Sequence, residues 1–196
     1  MKIIYLAQYF NTPEMPGSTR SYEFCKRLVK MGHEVEMITS YRDSCKKKNW
    51  FITNYDGIKI HWLPLRYSNE MSFLKRLKVF FKFAWKSYFR IKGIEGDIIY
   101  ASSTPLTISI PAVLISKEKK LPMVFEVRDL WPDVPIAMGI LKNRVAIYFA
   151  QILEIWAYKN AKSLVALSPE MKIGIIKKKI DAKKIAVIPN SSDIKK

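Results

Sequence analysis

Lys2-Ile3-Ile4-Tyr5-Leu6-Ala7 is a short apolar run, and it sets the pattern from which the fold of the whole chain can be predicted. After a loop comes an amphipathic stretch with helical spacing, Ser18–Met31, and then a second apolar run, Glu34–Thr39. A strand, a helix and a strand in succession are typical of a βαβ unit with parallel strands. The opening of the sequence therefore indicates an α/β fold.

The same alternation continues along the rest of the chain. Five more strands are predicted, at Gly57–Leu63, Asp97–Ala101, Met123–Val127, Ser163–Leu167 and Ile185–Ile188. Helical patterns cover Phe73–Lys92, Leu106–Glu118, Arg144–Asn160 and Pro169–Lys179. Nearly continuous apolar strands are typical of a parallel sheet covered on both faces. We therefore expect a doubly wound, mostly parallel sheet whose ligands bind beyond the carboxyl ends of its strands.

Composition and charge narrow the possible partners. The 196 residues are 49% hydrophobic, which is enough for one globular domain, and 34 basic against 17 acidic residues give a net charge of +17. Such a chain favours anions: nucleic acid, an anionic membrane surface or a phosphorylated substrate. An AT-rich genome, which raises lysine usage, is an alternative explanation. The two cysteines fit neither a disulfide framework nor a metal-ligand cluster, and only two histidines are present. We also expect no bound cofactor.

The loop after the first strand, Gln8–Gly17, leads into the amino terminus of the first helix. The unpaired N–H groups at that terminus attract anions, and a glycine lets a phosphate approach the backbone closely. Pro16 and Gly17 are therefore candidate contacts for a diphosphate. Neither of the common glycine-rich phosphate-binding motifs is present, and a simple Pro-Gly turn before a helix is the alternative.

The segment Glu126–Asp133 combines acidic, cationic and aromatic side chains directly after a predicted strand. Asp129 is a candidate to orient or deprotonate a hydroxyl, and Arg128 to hold a phosphate or fix that carboxylate. Trp131 is a candidate to stack on a sugar. The alternative is an ion pair between Arg128 and Asp129, with Trp131 filling the core.

A small polar loop, Ser102-Ser103-Thr104-Pro105, follows another predicted strand. Its three hydroxyl groups are candidate contacts for a sugar. Alternatively, Ser103 or Thr104 caps the helix that begins after Pro105.

The stretch Ser72–Lys92 holds seven basic residues, seven aromatic residues and no acid. Its predicted helix aligns four cations at intervals of four residues and adds aromatic side chains, a profile typical of a helix lying on an anionic membrane. A core helix with a solvated lysine face is one alternative, and nucleic-acid binding is another, although no nucleic-acid-binding motif accompanies the patch. The candidate membrane contacts are Lys78, Lys82, Lys86, Arg90, Phe81 and Trp85.

Three segments resemble family 4 glycosyltransferases, especially the branch that builds O-antigen, capsule and colanic-type polysaccharides. They are Pro16–Phe24 with Lys30–Val35, the Asp-Leu-Trp-Pro stretch at 129–132, and Pro189–Asp193, in which Ser191 and Ser192 replace a Gly-Val pair. The resemblance implies a Rossmann-like amino-terminal domain of a GT-B enzyme at residues 1–189. It also implies that residues 190–196 begin the hinge to a second domain that binds most of the donor.

The resemblance further implies retaining transfer of a hexosyl or N-acetylhexosaminyl group from a nucleotide sugar, most simply UDP-linked, to a lipid-linked saccharide. Gly17 would then lie beside the donor diphosphate, Asp129 and Arg128 at the reacting centre, and Arg20 and the loop at 102–104 on the acceptor side. We expect peripheral attachment to the inner face of the bacterial inner membrane, no nucleic-acid partner, and little activity from this domain alone. The non-enzymatic alternative is a subunit that recruits a separate catalytic chain to the membrane.

Overall fold

The computed structural model describes residues 1–43, 45–68 and 70–190, which form one eight-stranded sheet flanked by helices. In chain order the strands are β1 Lys2–Leu6, β2 Glu34–Tyr41, β3 Phe51–Tyr55, β4 Ile58–Pro64, β5 Ile98–Ser102, β6 Met123–Val127, β7 Ser163–Ala166 and β8 Ile185–Val187. The helices are α1 Arg20–Lys30, α2 Phe73–Lys92, α3 Ser109–Lys119, α4 Asp133–Ala137, α5 Arg144–Asn160 and α6 Pro169–Lys177.

The strands lie in the order β3-β4-β2-β1-β5-β6-β7-β8, and every neighbouring pair is parallel except β3 with β4. The connection through α1 moves towards one edge of the sheet, whereas those through α2, α3, α5 and α6 move towards the other. Because such crossovers are right-handed, α1 lies on one face and the other four helices lie on the opposite face. The predicted doubly wound α/β fold is confirmed.

Two apolar cores follow from the alternation of side chains along β1. Ile4 and Leu6 belong to the larger core, which also contains Phe83 of α2 and Val113 of α3. Ile3 and Tyr5 point to the other face and belong to a smaller core that includes Tyr22 and Cys25 of α1. Both faces of the central strand are therefore buried, which explains its continuous apolar sequence.

Two elements were not predicted. The edge strand β3 is antiparallel to β4 and is joined to it by Asp56 and Gly57, whose φ angles are 47° and 77°. An Asp-Gly pair between two strands is typical of a hairpin turn, so the sequence does indicate a strand before Asp56. The short helix α4 follows the segment with the Asp-Leu-Trp-Pro stretch. The predicted hinge at 190–196 lies outside the described residues apart from Asn190.

Candidate functional site

A cleft of about 520 Å³ lies at the carboxyl ends of the parallel strands. Its wall is built from loops after seven strands, β1, β2, β4, β5, β6, β7 and β8. Carboxyl ends of parallel strands are where α/β proteins bind their ligands, so the position of the cleft agrees with the sequence-based expectation. The residues that line it are Tyr9, Asn11, Gly17, Ser18, Ser21, Arg42, Tyr67, Thr104, Arg128, Asp129, Leu167 and Asn190.

Gly17 takes part in a tight turn beside the amino terminus of α1. Its φ angle is +123°, and a Cβ atom at this position would lie 2.6 Å from Nδ2 of Asn11. That amide donates to the carbonyl of Ser18 at 3.1 Å, and Oδ1 of Asn11 accepts from Nη2 of Arg42 at 2.5 Å. A side chain at position 17 would therefore disturb the residue that holds Arg42 in the cleft. Pro16 does not line the cleft.

Asp129 extends into the cleft from the loop after β6 and is exposed. Thr104, from the loop after β5, donates a hydrogen bond from Oγ1 to Oδ2 of Asp129 at 2.9 Å. Among the described residues no lysine or arginine forms an ion pair with Asp129, so the alternative of a structural pair with Arg128 is wrong. The carboxylate is thus oriented by a hydroxyl and keeps acceptor positions open to solvent.

The loop at 102–105 does not cap a helix. Oγ of Ser103 accepts a hydrogen bond from the backbone N–H of Arg128 at 2.9 Å, and neither Ser103 nor Thr104 caps the turn or the helix that follows. Ser102 is buried and donates to Oε2 of Glu126 at 2.5 Å. Only Thr104 of the three predicted sugar contacts lines the cleft; the two serines bind protein groups behind it.

Arg20 and Trp131, which were predicted to contact the acceptor, are not among the residues that line the cleft. The guanidinium of Arg20 lies against Oε1 of Glu126, 2.6 Å from Nη2, in an ion pair whose acidic side chain is only 2% exposed. Trp131 is half-buried and packs against the larger core, which agrees with the core-filling alternative.

The sequence reasoning missed three neighbouring residues that also line the cleft, Tyr9, Arg42 and Tyr67. The ring centroids of Tyr9 and Tyr67 are 5.3 Å apart, and the guanidinium of Arg42 lies 5.5 Å from the Tyr9 ring centroid. Burial raises the pKa of Tyr9, with Tyr67 adding to the rise, while the positive charges of Arg42 and Arg76 oppose it. These residues follow three different strands, so no short sequence motif contains all of them.

The segment that carries Asp129 is anchored on its far side by α5 and α6. Leu130 packs onto Gly174, where a Cβ atom would lie 2.6 Å from Cδ1 of the leucine. Lys178 lies 2.8 Å from Oδ2 of Asp133 and 3.0 Å from Oε2 of Glu154, whose side chain is fully buried. Burial raises the pKa of Glu154, and the nearby ammonium of Lys178 opposes that rise. These contacts connect the segment that carries Asp129 to α5 and α6.

The basic helix α2 is buried along one side only. Phe83, Ala84, Ser87 and Ile91 face the core, whereas Phe81 and Trp85 are 49% and 63% exposed beside exposed lysines at 78, 82 and 86.

Arg90 does not share the exposed side of α2 with those lysines. It donates from Nε to Nδ1 of His61 at 2.9 Å and is half-buried. The grouping of Arg90 with the lysines was wrong because a helix turns about 100° per residue. The three steps of four residues from Lys78 to Arg90 therefore rotate the side-chain direction by about 120° around the helix.

The helix also borders the cleft. Phe80 packs on Tyr67 with 5.8 Å between ring centroids, and the charge of Arg76, in the first turns of α2, acts on Tyr9. No helix in the described residues is both long and apolar enough to cross a membrane. Nor do these residues include three or more histidine, cysteine or acidic side chains placed to hold a metal ion.

Comparison with solved structures shows that the fold is shared with several sugar-nucleotide proteins. Sucrose-phosphate synthase from Thermosynechococcus elongatus superposes with a TM-score of 0.70 and 12% identity over 99% of this chain and 49% of that chain. Anabaena HepE in complex with UDP and glucose gives 0.54 and 17% over 99% and 45%. A UDP-N-acetylglucosamine 2-epimerase gives 0.53 and 12% over 95% and 47%. The chain thus spans about half the length of these proteins.

Sequence comparison is more specific than the fold, which a transferase and an epimerase share. Among curated proteins no sequence matches the chain significantly. A family model does match, that of Glycosyltransferase Family 4, over residues 17–196. The match covers most of the chain, including the cleft loops from Gly17 to Asn190. This protein therefore belongs to glycosyltransferase family 4.

Proposed function

We propose that this chain is the acceptor-side domain of a retaining glycosyltransferase. Its donor is a nucleotide sugar, most simply UDP-linked, and its acceptor is a saccharide carried on polyprenyl diphosphate. The reaction belongs to surface polysaccharide biosynthesis and takes place at the cytoplasmic face of the bacterial inner membrane. Family membership and the cleft support transfer of a sugar; the charge and the basic helix support the lipid-linked acceptor.

The observation that carries the proposal is the hydrogen bond from Thr104 to Asp129 in an otherwise cationic cleft. The bond fixes one carboxylate oxygen, so the other can accept a hydrogen bond from an acceptor hydroxyl. A carboxylate in that position orients the hydroxyl and takes up its proton as the hydroxyl oxygen bonds to the anomeric carbon of the donor sugar and the nucleoside diphosphate leaves. The two arginines that line the cleft, Arg42 and Arg128, suit the charge of a phosphorylated ligand.

The donor diphosphate fits the Gly17 end of the cleft. The backbone there has no side chain, and it leads into the N–H groups at the start of α1, which favour an anion. UDP is present in the HepE complex, a protein that shares the fold, which supports a UDP-linked donor. A diphosphate near Gly17 and a hydroxyl near Asp129 would place donor and acceptor across one cleft.

The membrane part of the proposal rests on α2. An acceptor whose lipid stays in the bilayer requires the cleft to lie at the membrane surface. Exposed lysines and aromatic side chains on one helix suit anionic headgroups and the acyl boundary, at about 1 kcal/mol for each cation near the surface. Since the first turns of α2 also border the cleft through Arg76 and Phe80, the helix would connect the bilayer to the acceptor site.

The test is acceptor binding, which this chain can perform without a donor. Titration calorimetry would use a water-soluble saccharide linked to a short prenyl diphosphate. We expect Asp129→Asn and Arg128→Ala each to weaken binding about tenfold, which is the loss of roughly 1.4 kcal/mol.

Matched controls lie at the amino ends of the parallel strands, away from the cleft. Glu95→Gln and Lys162→Ala change exposed residues next to the amino ends of β5 and β7, and both should bind like the wild type. Equal affinity of all five proteins would contradict the proposed acceptor site and favour a non-catalytic recruiting subunit. Tight, salt-sensitive binding of RNA or DNA without any acceptor binding would contradict the proposal altogether.

A further inference from the structure

The amino-terminal half of α5 carries apolar side chains that nothing in the described part of the chain covers. Val145, Tyr148, Phe149 and Ile152 are 63%, 61%, 63% and 45% exposed. Their spacing of three, one and three residues places them on a single side of the helix. Single exposed apolar residues are normal on a soluble protein, but a continuous group on two turns marks a contact surface.

This side of α5 belongs to the same helical layer as the basic helix α2, because α3 joins the two. Glu118 of α3 pairs with Lys92 of α2 at 2.7 Å and accepts a hydrogen bond from Tyr88 at 2.7 Å. Lys117 of α3 lies 5.9 Å from the ring centroid of Trp156 in α5. All three helices cover one face of the sheet, and their uncovered sides point away from it. We call this surface the outer helical face.

The charges on the outer helical face are almost entirely positive. Helix α2 contains no acid, and the single acid of α5, Glu154, is fully buried beside Lys178. Glu118 of α3 is paired with Lys92, so its charge is compensated. The exposed cations of these three helices are Lys75, Lys78, Lys82, Lys86, Lys92, Lys117, Arg144 and Lys159.

The composition of the outer helical face favours a lipid surface over a protein partner. The cores of protein interfaces are depleted in lysine, whereas helices that lie on membranes combine lysine with aromatic and aliphatic side chains. The exposed aromatic pairs repeat on both helices: Trp85 with Phe89 at 5.0 Å, and Tyr148 with Phe149 at 5.8 Å. Large exposed aromatics on two helices, with exposed lysines on α2, fit the boundary between headgroups and acyl chains.

We infer that α5 is a second membrane-contacting element, which inserts Val145, Tyr148, Phe149 and Ile152 among acyl chains while the lysines of α2 bind anionic headgroups. The inference rests on the proposed function and extends it from one helix to a surface. Because α2 and α5 follow β4 and β6, both begin at the edge of the sheet where the cleft opens. Contact through both helices would hold the cleft mouth next to the bilayer, whereas one helix alone would let the domain roll about its axis.

The test is partition into vesicles of phosphatidylglycerol and phosphatidylcholine, measured by co-sedimentation. The α5 variant is Val145→Ser, Phe149→Ser, Ile152→Ser. We expect its partition coefficient to fall about 100-fold, because three side chains lose apolar burial. The matched control is Met31→Ser, Ile52→Ser, which removes exposed apolar side chains that are 71% and 46% exposed elsewhere on the domain. Its partition should equal that of the wild type.

The inference is overturned if the α5 variant partitions like the wild type, if the control loses binding equally, or if the wild type does not partition. A labelling measurement keeps the test valid should the triple variant misfold. Ile152→Cys in a Cys45→Ser background leaves one accessible thiol, because Cys25 is buried. An environment-sensitive dye on that thiol should shift its emission to the blue with anionic vesicles; an unchanged spectrum overturns the inference.

Failure of this inference is distinguishable from failure of the proposed function. The α5 variant should bind the water-soluble diphosphate-linked saccharide as tightly as the wild type in the absence of vesicles. If the wild type partitions through α5 but does not bind that saccharide, the membrane surface stands and the proposed acceptor does not. If it binds the saccharide through Asp129 but the α5 variant partitions normally, the transferase proposal stands and α5 has no part in membrane contact.

Discussion

Arg20, the first residue of α1, donates from Nε and Nη2 to the same oxygen of Glu126, Oε1, at 3.2 and 2.6 Å. The pair joins residues 106 positions apart and fixes the helix after the Gly17 turn to the strand before Asp129. Ser102 binds the second oxygen of the same carboxylate. One buried acid therefore ties together the bases of three loops that form the cleft.

Arg20→Ala should be strongly destabilising because it leaves the carboxylate of Glu126 buried without its cation. Removal of one partner of a buried ion pair costs about 3 to 5 kcal/mol. The control is Arg27→Ala, whose exposed pair with Glu23 on the same helix should cost less than about 0.5 kcal/mol. Urea unfolding monitored by circular dichroism measures both changes. A loss below 1 kcal/mol for Arg20→Ala would show that water enters and solvates Glu126.

Gly17→Ala should reduce stability. The φ angle of +123° is strained for alanine, and the new Cβ atom would displace Asn11 from its bond with Arg42. We expect a loss of about 1 to 3 kcal/mol in the free energy of unfolding. Gly93→Ala is the matched control: its Cβ atom would meet nothing closer than 4.0 Å, so the change should be near neutral or slightly stabilising. Equal melting temperatures for the two variants would contradict the strain at Gly17.

His61 predicts a pH dependence of stability. Burial lowers its pKa, and the positive charge of Arg90 adds to that effect, while Glu36 opposes it. Because the folded pKa lies below the unfolded value of about 6.5, the unfolded chain binds more protons below that pH. The stability that comes from neutral His61 is thus fully present above about pH 6.5 and falls as the pH decreases through that value.

The measurement is the free energy of unfolding between pH 7.5 and 5, compared with a His61→Gln variant. We expect the wild type to lose more stability than the variant over this range. His33→Gln controls for the loss of an imidazole elsewhere in the chain. A wild type and a His61→Gln variant with parallel pH profiles would rule out His61 as the titrating group.

Lys178→Ala should weaken the support beneath Asp129. The change removes the cation shared by Asp133 and the fully buried Glu154, so we expect a loss of about 3 kcal/mol or more. Lys177→Ala, at an exposed neighbouring position, should stay within about 0.5 kcal/mol of the wild type. Since α4 follows the Asp129 segment directly, hydrogen exchange of residues 128–137 should also accelerate in the Lys178 variant alone. Unchanged exchange there would mean that the ion pairs do not hold the loop.

The hydrophobic pattern of the sequence predicts the sheet because a strand that is buried on both faces is apolar along nearly its whole length. β1 was placed within one residue of its observed ends for this reason, and α2 was placed from its helical spacing. Strand β3 was missed because its middle residues are exposed and its apolar run is short. The Asp56-Gly57 pair is nevertheless typical of a hairpin turn. Local patterns therefore recover the central strands better than the edge.

The candidate site was predictable only where one loop holds several reactive groups. Asp129, Arg128 and Gly17 were found from their own segments, and Thr104 joins them in the cleft. By contrast, Arg42 reaches the cleft only because β2 lies beside β1, a relation set by strand order. Likewise, nothing near Arg20 reveals that its partner is a glutamate on β6. Long-range pairing of this kind depends on topology, which short motifs do not encode.

Seven strands end at the cleft, and each contributes a separate loop to it. Folding and recognition are therefore carried by different parts of the chain: the strands and helix interiors make the core, and the loop tips meet the ligand. Tyr9 and Thr104 lie in different loops, so selection can change one without repacking the other. Under the proposed function, this architecture lets a lineage of such domains exchange one acceptor for another through small steps, each tested on an unchanged scaffold.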